Sequence, residues 1–165
     1  MQQKLIVGVA AALIAAALPG VAFAGTTSAT MAVAATVLEA CTVTATPMSF
    51  GNVVPGSSNV DSSATLQLVC TPNADYDILL NNGSNASAGQ RRLANAGSTE
   101  FIPYNVFLDS NHSQPWGNSV GVNTKAGVAG ATGLASYPVY GRIPATATPV
   151  TAGAYTDTVT VTVNF

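Results

Sequence analysis

The last eight residues of the chain alternate without exception: Val159, Val161, Val163 and Phe165 take one parity, and Thr158, Thr160, Thr162 and Asn164 the other. A period of two places one row of side chains on a buried face and the other toward solvent. Val and Thr are stiff at χ1 and favour strands over helices. The run Tyr155–Phe165 therefore reads as one strand, the clearest in the sequence.

Shorter runs of the same kind precede it. Residues 41–45, 48–54, 64–71, 75–81, 101–109 and 137–143 are strand-like, and Pro55-Gly56 and Asn82-Gly83 punctuate them as turns. Residues 83–98 read as a surface loop around a short Arg92-Leu93 strand, and 110–136 as a polar, Gly-rich stretch with Trp116 as its anchor. Composition agrees. Charged residues make up 7% of the chain against a usual quarter, and Ala, Thr, Val, Ser, Gly and Asn take their place. Many short strands at this spacing predict an all-β, two-sheet sandwich rather than βαβ units. Weak surface charge gives little colloidal repulsion and suits a chain that assembles.

The N-terminus has the parts of a secretory signal. Lys4 is followed by the apolar run Leu5–Leu18, a break at Pro19-Gly20 and the small-x-small site Ala22-Phe23-Ala24. The apolar run is shorter than the roughly 20 residues a membrane-spanning helix needs. Cleavage after Ala24 is expected, leaving one domain's length of chain. Beyond that cut, four basic side chains face seven acidic ones, a balance that cannot track a phosphate backbone and argues against nucleic acid as a partner. Cys41 and Cys70, in an exported chain, read most simply as one disulfide. A metal pair or a redox pair is the alternative, without CxxC spacing to support it.

No residue set points to catalysis, a cofactor, a metal or a small-molecule substrate. His112, the one histidine, reads as an exposed loop residue; a triad would need Ser110 or Ser113 with Asp109, and no nucleophile elbow surrounds them. Asp75 and Asp77 share a strand face and read as a solvated edge. The sequons at Asn82, Asn85 and Asn111 mark exposed loops. Arg142 is expected to pair with a carboxylate such as Asp157, and Trp116 to pack on the rim or, alternatively, to offer a sugar platform.

One feature does not fit a self-contained sandwich. The sequence stops at Phe165, inside its best strand, while residues 25–40 form a strand-like piece with no hairpin to the body. Extended, that piece presents Ala29, Met31, Val33, Ala35 and Val37 on one face. A disordered linker or an intramolecular edge strand is the competing reading.

Several ordered fragments carry a family resemblance. They are Cys41-Thr42-Val43, Phe50-Gly51, Leu68-Val69-Cys70-Thr71, Trp116-Gly117, Tyr140-Gly141-Arg142-Ile143-Pro144, and Gly153 followed by Tyr155 and Asp157-Thr158-Val159. Together they resemble the spore coat protein U domain of archaic, Csu-type chaperone–usher pilus subunits. The resemblance implies an incomplete immunoglobulin-like β-sandwich, residues 41–165, that lacks its last strand and is completed by a donor strand from another chain. A periplasmic chaperone would fill the gap first. At the outer-membrane usher, the N-terminal extension of a neighbouring copy or related pilin would replace it, building a head-to-tail fibre on the cell surface for adhesion and biofilm formation. On this reading residues 25–40 are the donor extension, with Ala29, Met31, Val33, Ala35 and Val37 as its inserted side chains. Val159, Val161, Val163 and Phe165 edge the acceptor groove, and the subunit is a stem pilin, with the major stem subunit the favoured role. The alternatives are a secreted self-complemented binding module or a spore or outer coat protein.

Overall fold

The computed structural model of the chain describes residues 24–97 and 99–165. All but the last residue of the expected leader lie outside them. The chain divides into two compact units, Met1–Ala35 and Thr36–Phe165. In the first, the described residues 24–35 have neither helix nor strand and every one is exposed.

The second unit is all-β. Its strands are β1 (Cys41–Ala45), β2 (Val60–Cys70), β3 (Asp75–Leu80), β4 (Arg91–Asn95), β5 (Phe101–Phe107), β6 (Lys125–Val128), β7 (Leu134–Ile143), β8 (Tyr155–Thr156) and β9 (Val161–Asn164). They form a six-stranded sheet, β1-β2-β7-β5-β4-β8, and a three-stranded sheet, β6-β3-β9. Every pairing within them is antiparallel. The long central pair β2–β7 runs in register from Val60↔Ile143 to Val69↔Leu134.

Alternation drives each strand's inner row into one core. Leu66 and Leu68 of β2, Tyr76, Ile78 and Leu80 of β3, Ile102, Tyr104 and Val106 of β5, and Val139 and Ile143 of β7 are all at most 5% exposed. The core is shared by both sheets, as in an immunoglobulin-like sandwich.

Several sequence expectations need correction. Residues 48–54 are not a strand: Met48 and Phe50 pack on the core, the backbone turns at Gly51, where φ is +67°, and Val53 returns to the core out of step with them. The run 155–165 is not one strand but two pieces, β8 in the larger sheet and β9 in the smaller. Side chains and backbone of the loop 81–85 hold the stretch between them, so the chain crosses from one sheet to the other there. Trp116 offers no platform: it is 1% exposed and its indole Nε1 donates to the Ile78 carbonyl at 2.9 Å. His112 is not an exposed loop residue: its side chain is 5% exposed, set edge-on against Phe107 and Tyr140, on the outer face of the six-stranded sheet. Neither ring nitrogen makes a hydrogen bond, while Ser113 Oγ donates to Asp109, so the serine–histidine link of a triad is not made.

Arg142 does not pair with Asp157. It donates two bonds, 2.6 and 2.7 Å, to Asp61, its neighbour across β2 and β7. Those bonds hold the Asp61 carboxyl below the ordinary aspartate range. Strand β6 was hidden in the polar stretch 110–136; its four residues carry only the short pattern KAGV, too little apolar signal to separate from a loop. Asp77 is partnered rather than solvated, accepting from Thr124 Oγ1 at 2.9 Å.

Candidate functional site

The larger sheet ends at β1 and the smaller at β9. These two strands approach one another without pairing. Between them the core is open to solvent. One cavity of about 340 Å³ has Ala45–Met48 on one wall and Asp157, Thr158, Val159 and Val161 on the other. Its floor is Leu66, Leu80, Tyr104, Val106 and Val139, side chains of the core itself. A second cavity of about 670 Å³ continues it between residues 48–55 and 150–157. The two share Met48, Phe50, Leu93 and Asp157, so they form one groove.

The β9 wall has a free backbone edge. Thr158 and Thr160 carbonyls accept from Ser84 N and Asn81 N, both at 3.0 Å, on the side of β3. Successive residues of a strand aim their backbone groups to opposite sides, so Val159, Val161 and Val163 direct theirs toward the groove. Their side chains are half-buried and pack against the core. Phe165 does not: it is 57% exposed. The other wall is stapled by the Cys41–Cys70 disulfide, which joins residues directly opposite in the β1–β2 register. The simplest sequence reading of the two cysteines is thus the observed one.

Among the described residues, the groove is lined by one charged side chain, Asp157. Its Oδ2 accepts from Tyr104 OH at 2.8 Å, and Oδ1 from Asn85 N, Asn85 Nδ2 and Thr158 N. A Cβ at Gly83, where φ is +82°, would strike this carboxylate, so the loop needs glycine there. Beneath lies Arg91, 2% exposed, whose guanidinium donates to the carbonyls of Leu80, Asn81 and Trp116. Burial lowers the Arg91 pKa, with Tyr104 and Asp157 opposing. Burial, then the bond to Asp157, pushes the Tyr104 phenol above its ordinary value. Sequence reasoning missed Tyr104, Arg91 and Asn85 as the support of this wall, because their meeting point lies in no local pattern.

The segment expected to act as donor is apolar on one parity and wholly uncovered. Met31 and Val33 are each 84% exposed and Val37 82%; Ala29 and Ala35 are exposed as well. At its base, the Thr71 amide and hydroxyl donate to the carbonyls of Ala40 and Leu38.

Comparison with known proteins agrees with this architecture. Protein U of Myxococcus xanthus is 35% identical over 83 residues, which is 50% of this chain and 45% of that protein. A solved chaperone–tip adhesion subunit pre-assembly complex, CsuC–CsuE from the archaic chaperone–usher Csu pili of Acinetobacter baumannii, aligns with a TM-score of 0.57 at 29% identity. That alignment covers 79% of this chain and 41% of the matched one. The chain thus spans less than half the length of either relative. The family model for the Spore Coat Protein U domain matches residues 27–162, and the chain belongs to that family.

Proposed function

We propose that this protein is a structural subunit of a chaperone–usher surface pilus, a stem pilin that polymerises by donor-strand exchange and serves adhesion and biofilm formation. The observation that carries this reading is the groove. A core left open between two unpaired sheet edges has the shape and chemistry to take one more strand. Backbone groups on its free edge supply ladder bonds, and alternate side chains fill the floor, which is the physics of β-augmentation. Residues 25–38 are the matching object: fourteen residues, uncharged, with apolar side chains on one parity.

The extension cannot close back as a symmetric pair, because a strand at one place and a groove at another make a heterologous contact that propagates as a fibre. An open apolar groove also calls for protection before assembly. This supports a periplasmic chaperone as first occupant and an outer-membrane usher as the place of exchange; the match to a chaperone-bound subunit supports the same order. The signal sequence Lys4–Ala24 supports export and, with assembly, a cell-surface location.

Two variants of the mature chain test this reading. Deleting residues 25–38 removes the donor, and fibres should disappear. Moving the segment behind Phe165 through a short linker should fill the chain's own groove, giving a monomer that unfolds at higher temperature. A relocated variant no more stable and no less polymerising than wild type would refute donor-strand exchange.

A further inference from the structure

The one charged residue of the groove sets where the incoming strand must lie. We infer that the extension enters antiparallel to the run 157–163, which leads into β9, with Ala35 opposite Asp157, so that Asp157 selects the register. This rests on the reading that residues 25–38 occupy the groove.

The argument is a matching of two rows. The wall presents Tyr155, Asp157, Val159 and Val161 to the groove, with Val163 next in the same row, packed on the core. The extension presents Ala29, Met31, Val33, Ala35 and Val37. Asp157 carries four hydrogen bonds from Tyr104, Asn85 and Thr158, so its carboxylate is fixed and cannot swing aside. A large apolar side chain opposite would strip the remaining water from this carboxylate and find no apolar surface in return. Only alanine, on either Ala29 or Ala35, is small enough to minimise that cost.

Direction then decides between the two alanines. Every strand pair of the sheets is antiparallel, and antiparallel ladders are the more stable per residue. In an antiparallel strand, Ala29 opposite Asp157 would face Val159 with Thr27 and Val161 with Gly25, leaving the valine row nearly bare. Ala35 opposite Asp157 instead sets Val33 on Val159, Met31 on Val161, Ala29 on Val163 and Val37 on Tyr155. All the large apolar side chains then meet apolar partners. This register leaves Leu38, Glu39 and Ala40 as the link to the next domain, a span of at most about 10 Å at ~3.3–3.6 Å per residue. Neighbouring domains would therefore sit close together.

Cross-linking in assembled mature chains reads the register directly. Residues opposite one another in an antiparallel pair have Cα atoms about 4.5–5.5 Å apart, inside the span a disulfide bridges. The double variant Val33→Cys with Val159→Cys should give, on oxidation, a ladder of covalent multimers on non-reducing denaturing gels. Met31→Cys with Val159→Cys, the pair that a parallel strand with Ala29 opposite Asp157 would join, should stay monomeric although fibres form. A ladder from the second pair, or fibres with no ladder from the first, overturns the register while leaving the donor role to be judged by deletion of residues 25–38.

Should cysteines hinder folding, Ala35→Leu and Ala29→Leu give an independent reading. Ala35→Leu should raise the concentration needed for assembly at least tenfold. Ala29→Leu, at the open end near Val163, should raise it less than twofold. Equal effects, or a larger effect at Ala29, refute the assignment.

Discussion

Val33→Asp is the sharpest single perturbation of the proposed contact. In the subunit Val33 is 84% exposed, so nearly all of its apolar surface remains to be buried on assembly. Full burial of a valine contributes roughly 1.5–2 kcal/mol. The aspartate both forfeits this and carries a carboxylate into a groove walled by Val159 and Val161 and floored by Leu66 and Leu80. The effective penalty for an unpaired carboxylate there is several kcal/mol, or the group must take up a proton. A loss of at least about 4 kcal/mol per junction follows, roughly a thousandfold in each association constant at ~1.4 kcal/mol per tenfold. The isolated domain should barely notice, because substitutions at exposed sites stay within about ±0.5 kcal/mol. Sedimentation velocity and electron microscopy read assembly, and thermal unfolding of the dilute monomer reads stability. Fibres at wild-type concentration would refute the groove contact. A monomer destabilised by more than about 1 kcal/mol would show instead that Val33 is packed within its own chain.

Replacing Cys41 and Cys70 together with serine opens a covalent loop of 29 residues' separation and should cost about 3–4 kcal/mol in denaturant unfolding; an unchanged midpoint would refute the staple's role. Trp116→Phe removes the donor to the Ile78 carbonyl inside the core, and leaving that acceptor unpaired should cost roughly 1–3 kcal/mol in the same assay. The Tyr76 phenol, 5% exposed and bonded to Tyr137 OH at 2.6 Å, is pushed up to about 12, first by burial and then by that bond. The unfolded chain therefore loses this proton first, so stability should fall as pH rises from 10 toward 12. Tyr76→Phe should flatten that decline, and an identical pH profile for the variant would refute the assignment.

Much of the domain was legible in order. The alternations of 64–70, 75–80, 101–107 and 137–143 became β2, β3, β5 and β7 because each inner row has somewhere apolar to go. The end of each strand was less legible. Residues 48–50 alternate as a strand does, yet Met48 and Phe50 reach the core from a backbone with no ladder partner. Periodicity reports burial of side chains and is silent on where the backbone finds its hydrogen bonds. The same limit hid the break after Thr156, since alternation continues through residues 157–160 while the chain changes sheets. His112 was misread because loop composition suggests exposure, and only the packing of residues 108–115 over Phe107 and Tyr140 covers it.

The sequence by itself determined the fold class of this protein: scarce charge, β-branched alternation and two cysteines admit an all-β domain stapled by one disulfide. Tertiary structure alone decided where a strand is wanting. That place exists only because β1 and β9, over a hundred residues apart, stop short of pairing above a common core. It is also where Tyr104, Asn85 and Asp157 meet from three separate stretches of chain. A local pattern can specify which face of a strand is apolar. Which edge stays open depends on how every other strand has already spent its hydrogen bonds.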